Sequence, residues 1–386
     1  MNFSVNNNNI KDTAGIVKCS CGVLFMLFCF CYIYFIQSEI LAKAQFVYSD
    51  GLTSYHSIMT PLIVAGVLQI IQYVCFSLLR LPQKFYALSY FPSCIVLAML
   101  SNFTEQRVEH FYFGAWAWVT PLLLILYISV VMLIREFFKD KVQDKQTFDI
   151  IITPNSIILM ALFIFVGSIS ENNDIYLYEL KTERLVAEGD YEGALNVGER
   201  SLVSSPKLTQ LRMYALVKQD MLAERIFDFP QYYGTEGLLP AYDTTRTNRV
   251  LASDIYANMG VVPGCGIKSV EQFLNIVMKG EKKRSNTVID YYLCFQLLKK
   301  DLLTFERVFY DNYNPERMDV PRAYQEALLL KAEQDGDSLS YISQETRERY
   351  NAYKLEKAQY LSDNARRNKT RQNFGNTYWW YYENEK

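Results

Sequence analysis

Histidine is nearly missing from this sequence: only His56 and His110 occur among its 386 residues. A histidine-based metal site would need partners that do not lie near either one, so both read as polar residues at a membrane interface. No G-x-S-x-G, H-E-x-x-H, phosphate-cradling loop or C-x-x-C pattern occurs, which removes the usual sequence signs of hydrolytic, metal-dependent, nucleotide and dithiol chemistry. A charge surplus is missing too. The 39 basic and 41 acidic residues give a formal charge of -2, which excludes nucleic acid as the expected partner. No cofactor or metal is expected, and Asp335 to Asp337 departs from a calcium-loop pattern at its glycine and terminal glutamate positions.

A mean hydropathy near zero hides two unlike halves. Up to Val166 there are ten basic and nine acidic residues, set between long apolar runs; the remainder holds 29 and 32. Five runs approach the roughly 20 residues needed to cross a bilayer. They are Ile16 to Ile36, Pro61 to Leu79, Phe85 to Leu100, Ala115 to Ile134 and Ile150 to Ile169. The third is short and carries Pro92, so it reads as a kinked span or a re-entrant segment. The fifth contains Thr153-Pro154-Asn155-Ser156, which predicts a kink in its first turns. The first run is too long and too aromatic for a cleaved leader, and no small-residue site precedes Gln37.

Basic residues orient the spans. Lys11, Lys18, Arg80, Lys84, Arg135, Lys139, Lys141 and Lys145 fall in alternate loops, against Lys43 and Arg107 in the others. If all five runs cross, the positive-inside rule places the amino terminus in the cytoplasm and everything after Ser170 outside. In a bacterium that means an inner-membrane protein with a periplasmic domain. The interiors of the first, second and fourth runs hold no charge, which argues against an ion or proton path. Gln69 and Gln72 share a face of the second span and read as helix-to-helix glue.

The outer half carries helical spacing. "EGDYEGALNVGERSLVSSP" (Glu188 to Pro206) has a turn at Gly189-Asp190, then Tyr191, Ala194 and Leu195 before a closing proline. Residues Ile175 to Gly189 supply a preceding helix. The pair resembles one tetratricopeptide repeat, whose second helix reads G-D/N-Y-x-x-A-L. Turns at Asp220 and Asp301 repeat the pattern of apolar helix, polar turn and apolar helix. An aspartate there is expected to cap the following helix. The fold class expected is therefore all-α, with five spans over residues 1–170 and a tetratricopeptide-like domain over 171–386. An irregular insert is expected at about 234–266.

Candidate sites are few. Glu39 and Asp50, in the loop after the first span, are the residues to examine for the alternative, a membrane enzyme or transporter component acting on a lipid-linked substrate, by analogy with C-type membrane glycosyltransferases. The terminal Tyr378, Trp379, Trp380, Tyr381 and Tyr382 are candidates for partner binding, weighed against a role in capping the helical stack. Cys265 and Cys294 read as buried thiols or as one disulfide. The favoured function is a scaffold or adaptor, with the lipid bilayer and an envelope protein as partners.

Three stretches carry a family resemblance: "PRAYQEALLL" (Pro321 to Leu330), "FGNTYWWYY" (Phe374 to Tyr382) and "DYYLCFQLLKKDLLTF" (Asp290 to Phe305). They resemble the carboxy-terminal half of a family of uncharacterised Bacteroidota membrane proteins with several spans and a tetratricopeptide-like domain. The resemblance implies an inner-membrane protein with a periplasmic helical domain, and it supplies no activity.

Overall fold

Apolar runs with no water to pair their backbone must coil into helices, and all regular elements of the described residues are helical. The computed structural model describes residues 2–102, 114–138, 148–240, 248–260, 269–280, 285–315, 318–337 and 339–385. The chain divides into two units, Met1–Asn173 and Asp174–Lys386.

In the first unit, Asn2–Tyr32 continues through one wide π turn, Ile33–Gln37, into Ser38–Tyr48. Met59–Leu79, Trp116–Phe138 and Phe148–Ile169 are the other long helices. The last continues through Pro154. Four helices, not the expected five, are long and apolar enough to cross a membrane by themselves among the described residues. The third run is broken. A 3-10 helix over Gln83–Tyr90, with non-helical backbone at Phe85, leads into a ten-residue α-helix, Phe91–Leu100.

That break is held by side chains. Asn155, fully buried, accepts from the Ala87 N–H at 2.7 Å and donates to the Gln83 and Ile151 carbonyls at 2.9 and 2.7 Å. The Gln83 and Ala87 groups belong to the irregular start of the third segment, and the Ile151 carbonyl to the helix that carries Asn155. Gln69 donates to Gln72 at 2.9 Å and Gln72 to Ser89 at 2.8 Å, so the glutamines do join helices as expected. Further along, Ser93 donates to the Leu68 carbonyl at 2.8 Å. At the far end, the Glu171 N–H donates to the Ser101 carbonyl at 3.2 Å and Asn102 to that of Ile169 at 2.8 Å.

The second unit is a series of helix pairs. Asp174–Glu188 and Tyr191–Asn196 come first, then Pro206–Lys218 and Leu222–Arg225. Ala252–Ala257 lies within the expected irregular insert, and Val270–Lys279 follows it. Then come Asn286–Lys299 with Leu302–Asn312, Arg322–Asp335 with Gln344–Ala358, and Asp363–Phe374 with Tyr378–Asn384. Starts are capped by short polar side chains: Ser205 to the Leu208 N–H at 3.0 Å, Ser269 to Gln272 at 3.1 Å, Ser343 to Thr346 at 3.2 Å. The second members of the first two pairs hold only six and four residues, well short of the helices that precede them.

The turns share one geometry. The N–H groups of Asp190, Met221, Asp301 and Asp337 return to the carbonyls of Leu185, Leu216, Gln296 and Ala332. Each follows a left-handed residue: Gly189, Asp220, Lys300 or Gly336. This is the Schellman ending of a helix. Asp190 and Asp301 then cap Gly193 and Thr304 at 2.9 and 3.0 Å, as expected. Asp220 does not. It is the left-handed residue itself, at φ 57°, and Met221 takes the capping position without a side-chain bond. The register is offset by one residue.

The two aspartates should therefore respond oppositely. Asp301→Ala removes a cap and should cost about 1 kcal/mol. Asp220→Gly relieves a left-handed backbone and should leave stability unchanged or raised. Thermal unfolding of the detergent-solubilised chain checks both; equal losses would refute the offset.

Candidate functional site

The last helix starts with Thr377 accepting from the Trp380 N–H at 3.4 Å. It turns four aromatic side chains inward: Tyr378, Trp379, Trp380 and Tyr381 are at most 2 % exposed, and Tyr382 is half-buried. Trp379 packs on Tyr350 and Tyr353, with ring centroids 5.0 and 6.3 Å away. Tyr378 and Tyr381 pack on Phe227 at 5.4 and 5.2 Å. Tyr381 donates to the Leu298 carbonyl at 2.8 Å, and Trp380 to Thr370 at 3.2 Å. These side chains are core, as the capping alternative expects, and they offer no exposed aromatic face.

One recess of about 570 Å³ lies on this helix at Tyr382, Glu383 and Asn384, and two others that share Arg349 lie nearby. The larger of these two encloses about 710 Å³ and is lined by Glu224, Arg322, Gln325, Glu326, Thr346 and Arg349, among others. The smaller, about 350 Å³, lies against Leu202, Asp228, Gln231, Arg371 and Asn376. Arg349 lines both.

Two carboxylates of the larger recess cap helices from a distance. Pro321 precedes Arg322–Asp335 and offers no capping side chain, so Glu224 accepts the Arg322 N–H at 2.7 Å. Glu326 accepts the Tyr378 N–H at 2.6 Å. Both sit where a helix start favours negative charge. The Arg322 guanidinium is held by Asp228 at 2.6 Å and stands 3.8 Å from Glu326. Arg349 donates to the Asn376 side chain at 2.6 Å. Carboxylates and guanidiniums together make a wall that favours a polar, hydrogen-bonding occupant.

Burial pushes the Glu326 carboxyl up to about 7, against the opposing pull of the Tyr378 N–H, Arg322 and Arg349. Desolvation wins because the side chain is only 1 % exposed and a carboxylate loses much of its hydration there. Asp290 is raised for the same reason, although Tyr313 and Tyr324 donate to it at 2.6 and 2.9 Å.

The acids expected for an enzyme are not brought together. Glu39 lies in the first turn of Ser38–Tyr48, while Asp50 is an exposed left-handed turn residue beyond its end. At 1.5 Å per residue the helix separates them by about 15 Å. The His56 Nδ1 accepts the Met59 N–H at 3.2 Å and so caps a helix. His110 and Cys265 lie outside the described residues; Cys294 is buried, with its sulfur 3.9 Å from the Tyr324 hydroxyl.

The chain matches, over residues 103–273 and 267–385, the family described as "Family of unknown function (DUF6057)". The chain belongs to that family. No curated protein and no solved structure matches it. The match spans the segments that carry the recesses, and it bears out the expected kinship to a family without assigned activity.

Arg322, Glu326 and Arg349 were not among the sequence candidates. Arg322 and Glu326 stand four apart, a spacing ordinarily read as a solvated pair on a helix surface. Arg349 sits in the run Glu345 to Arg349, which reads as an exposed face.

Glu326 predicts a pH dependence with a definite sign. Its folded value lies above the ordinary 4.5, so its contribution to stability is full below that value and lost as pH rises through about 7. Glu326→Gln keeps an acceptor for Tyr378 and cannot ionise. The variant should match the parent near pH 5 and melt above it near pH 8, as followed by thermal unfolding. A gap that narrows with rising pH would contradict the burial argument.

Proposed function

We propose that this protein is a multi-pass inner-membrane scaffold or adaptor whose carboxy-terminal unit, tetratricopeptide-like in organisation, binds a polypeptide partner on the periplasmic side. The observation that carries this reading is the 710 Å³ recess of the helical unit, walled by Glu224, Arg322, Glu326 and Arg349. Helix-pair folds commonly present such concave faces to polypeptides.

Five crossings are supported by the direction of the segments in the first unit. Lys18 lies over Phe76, 4.6 Å from the ring centroid, and Phe28 stacks on Phe163 at 3.8 Å. Phe91 stacks on Tyr127 at 5.0 Å, and Thr120 meets Met99 at 3.6 Å. Together with the bonds of Asn155, Ser93 and Asn102, these contacts make consecutive segments run in alternating directions. The broken third segment keeps company with Phe148–Ile169 from Asn155 to Ile169, about 21 Å of helix. That length approaches the roughly 30 Å of a hydrocarbon core. Lys18, Arg80, Lys84 and Arg135 then gather at one end, the cytoplasmic one by the positive-inside rule.

The competing reading, an enzyme acting on a lipid-linked substrate, loses support from the separation of Glu39 and Asp50. Two measurements test the proposal. Alkaline phosphatase fused after Lys386 should be active and green fluorescent protein dark; the reverse would overturn the topology. A photo-crosslinking residue at Gln325 in native membranes should yield discrete protein adducts. Recovery of lipid adducts alone would sink the adaptor and favour the enzyme.

A further inference from the structure

Resting on that reading of a polypeptide partner, we infer that the smaller recess takes an acidic side chain of the partner, gripped by Arg349 and Arg371. The two guanidiniums are the reason. Arg371 is held between the rings of Tyr232 and Trp380, 5.3 and 5.2 Å from their centroids, and donates to the Tyr232 hydroxyl. Arg349 is steadied by the Asn376 side chain. Each is thus fixed in place by a neutral group. Among the described residues neither has a carboxylate within the 4.0 Å of an ion pair.

Of the three acids lining this recess, two are engaged at least in part. Asp228 holds Arg225 at 3.2 Å and Arg322 at 2.6 Å; Glu385 holds Arg367 at 3.4 Å through one oxygen, while its other oxygen is buried with no hydrogen-bond partner among the described residues. Glu326, in the larger recess, attracts Arg349 through space and is bonded to the Tyr378 N–H. Glu199 is exposed at the rim. Arg349 and Arg371 are the two guanidiniums of this recess that no carboxylate holds. A guanidinium presents paired donors that match a carboxylate in two parallel hydrogen bonds.

A polypeptide fits this place better than a small anion. Leu202 lines the recess and is 58 % exposed, and Val203 beside it is 43 % exposed. An apolar residue next to the acidic one would cover both, which a free phosphate would not do. The rim adds Ser201, Gln372 and Asn376, donors and acceptors suited to a peptide backbone.

Fluorescein-labelled peptides of alternating Leu-Glu, Leu-Gln and Leu-Lys, titrated onto the full chain in nanodiscs, test this by anisotropy. Leu-Glu should bind at least about tenfold tighter than Leu-Gln, as expected for a charge-assisted pair, and Leu-Lys weakest. Arg349→Gln with Arg371→Gln should erase the preference, while Arg349→Lys with Arg371→Lys retains part of it. Should the glutamine pair fail to fold, added salt must weaken Leu-Glu selectively in the parent. Equal binding of all three peptides overturns this assignment and leaves the polypeptide reading standing. Full competition by millimolar inorganic phosphate, without a Leu-Glu preference, overturns it in favour of a phosphate-bearing ligand. Binding of no peptide, together with no protein adduct at Gln325, overturns both.

Discussion

A backbone group withdrawn from water has to find a partner, and the irregular parts of this protein are built around that demand. Where regular helix supplies the partner, the structure is unremarkable helix packing. Where helix fails, one polar side chain is placed to complete the ladder. Asn155 does this for the broken third segment, serving Gln83, Ala87 and Ile151 at once. Arg212, wholly enclosed, does it for the stretch after Tyr191–Asn196 by donating to the Val197 carbonyl at 2.8 Å. Glu224 and Glu326 do it for two helix starts.

The same demand explains which parts were legible in the residues. Local devices were open to reading: apolar runs, serine caps, and the turns at Asp190 and Asp301 need only neighbours in sequence. Asp220 was misplaced by one position because aspartate suits either a cap or a left-handed turn, and only the bond from Met221 to Leu216 tells which. The third apolar run was readable as kinked or re-entrant from Pro92, but the place of the break, at Phe85, was not, since the residue that stabilises it lies 68 positions from Ala87. Arg322, Glu326 and Arg349 carry a helix-surface pattern. Nothing nearby in sequence shows that Tyr378, 52 residues on, closes over Glu326.

The recesses follow from the way the last helix is seated. Burying Tyr378 to Tyr381 brings helix 378–384 against helices 322–335, 344–358 and 363–374. Polar groups remain along the seams, where a carboxylate holds the Arg322 guanidinium, the Asn376 side chain holds that of Arg349, and aromatic faces hold that of Arg371. The aromatic tail thus shapes the recesses without exposing its own rings.

This arrangement ties recognition to folding. Glu326 is at once a wall of the larger recess, the acceptor that fixes the last helix, and a buried acid balanced near neutrality. An occupant that brought a cation beside it would favour the ionised form, and by linkage the ionised form would favour that occupant. An occupant that engaged Arg349 instead would draw away one of the charges that oppose desolvation and leave Glu326 more readily protonated. The two recesses share Arg349, and on the proposed reading an occupant of one would shift the protonation of Glu326 in the other.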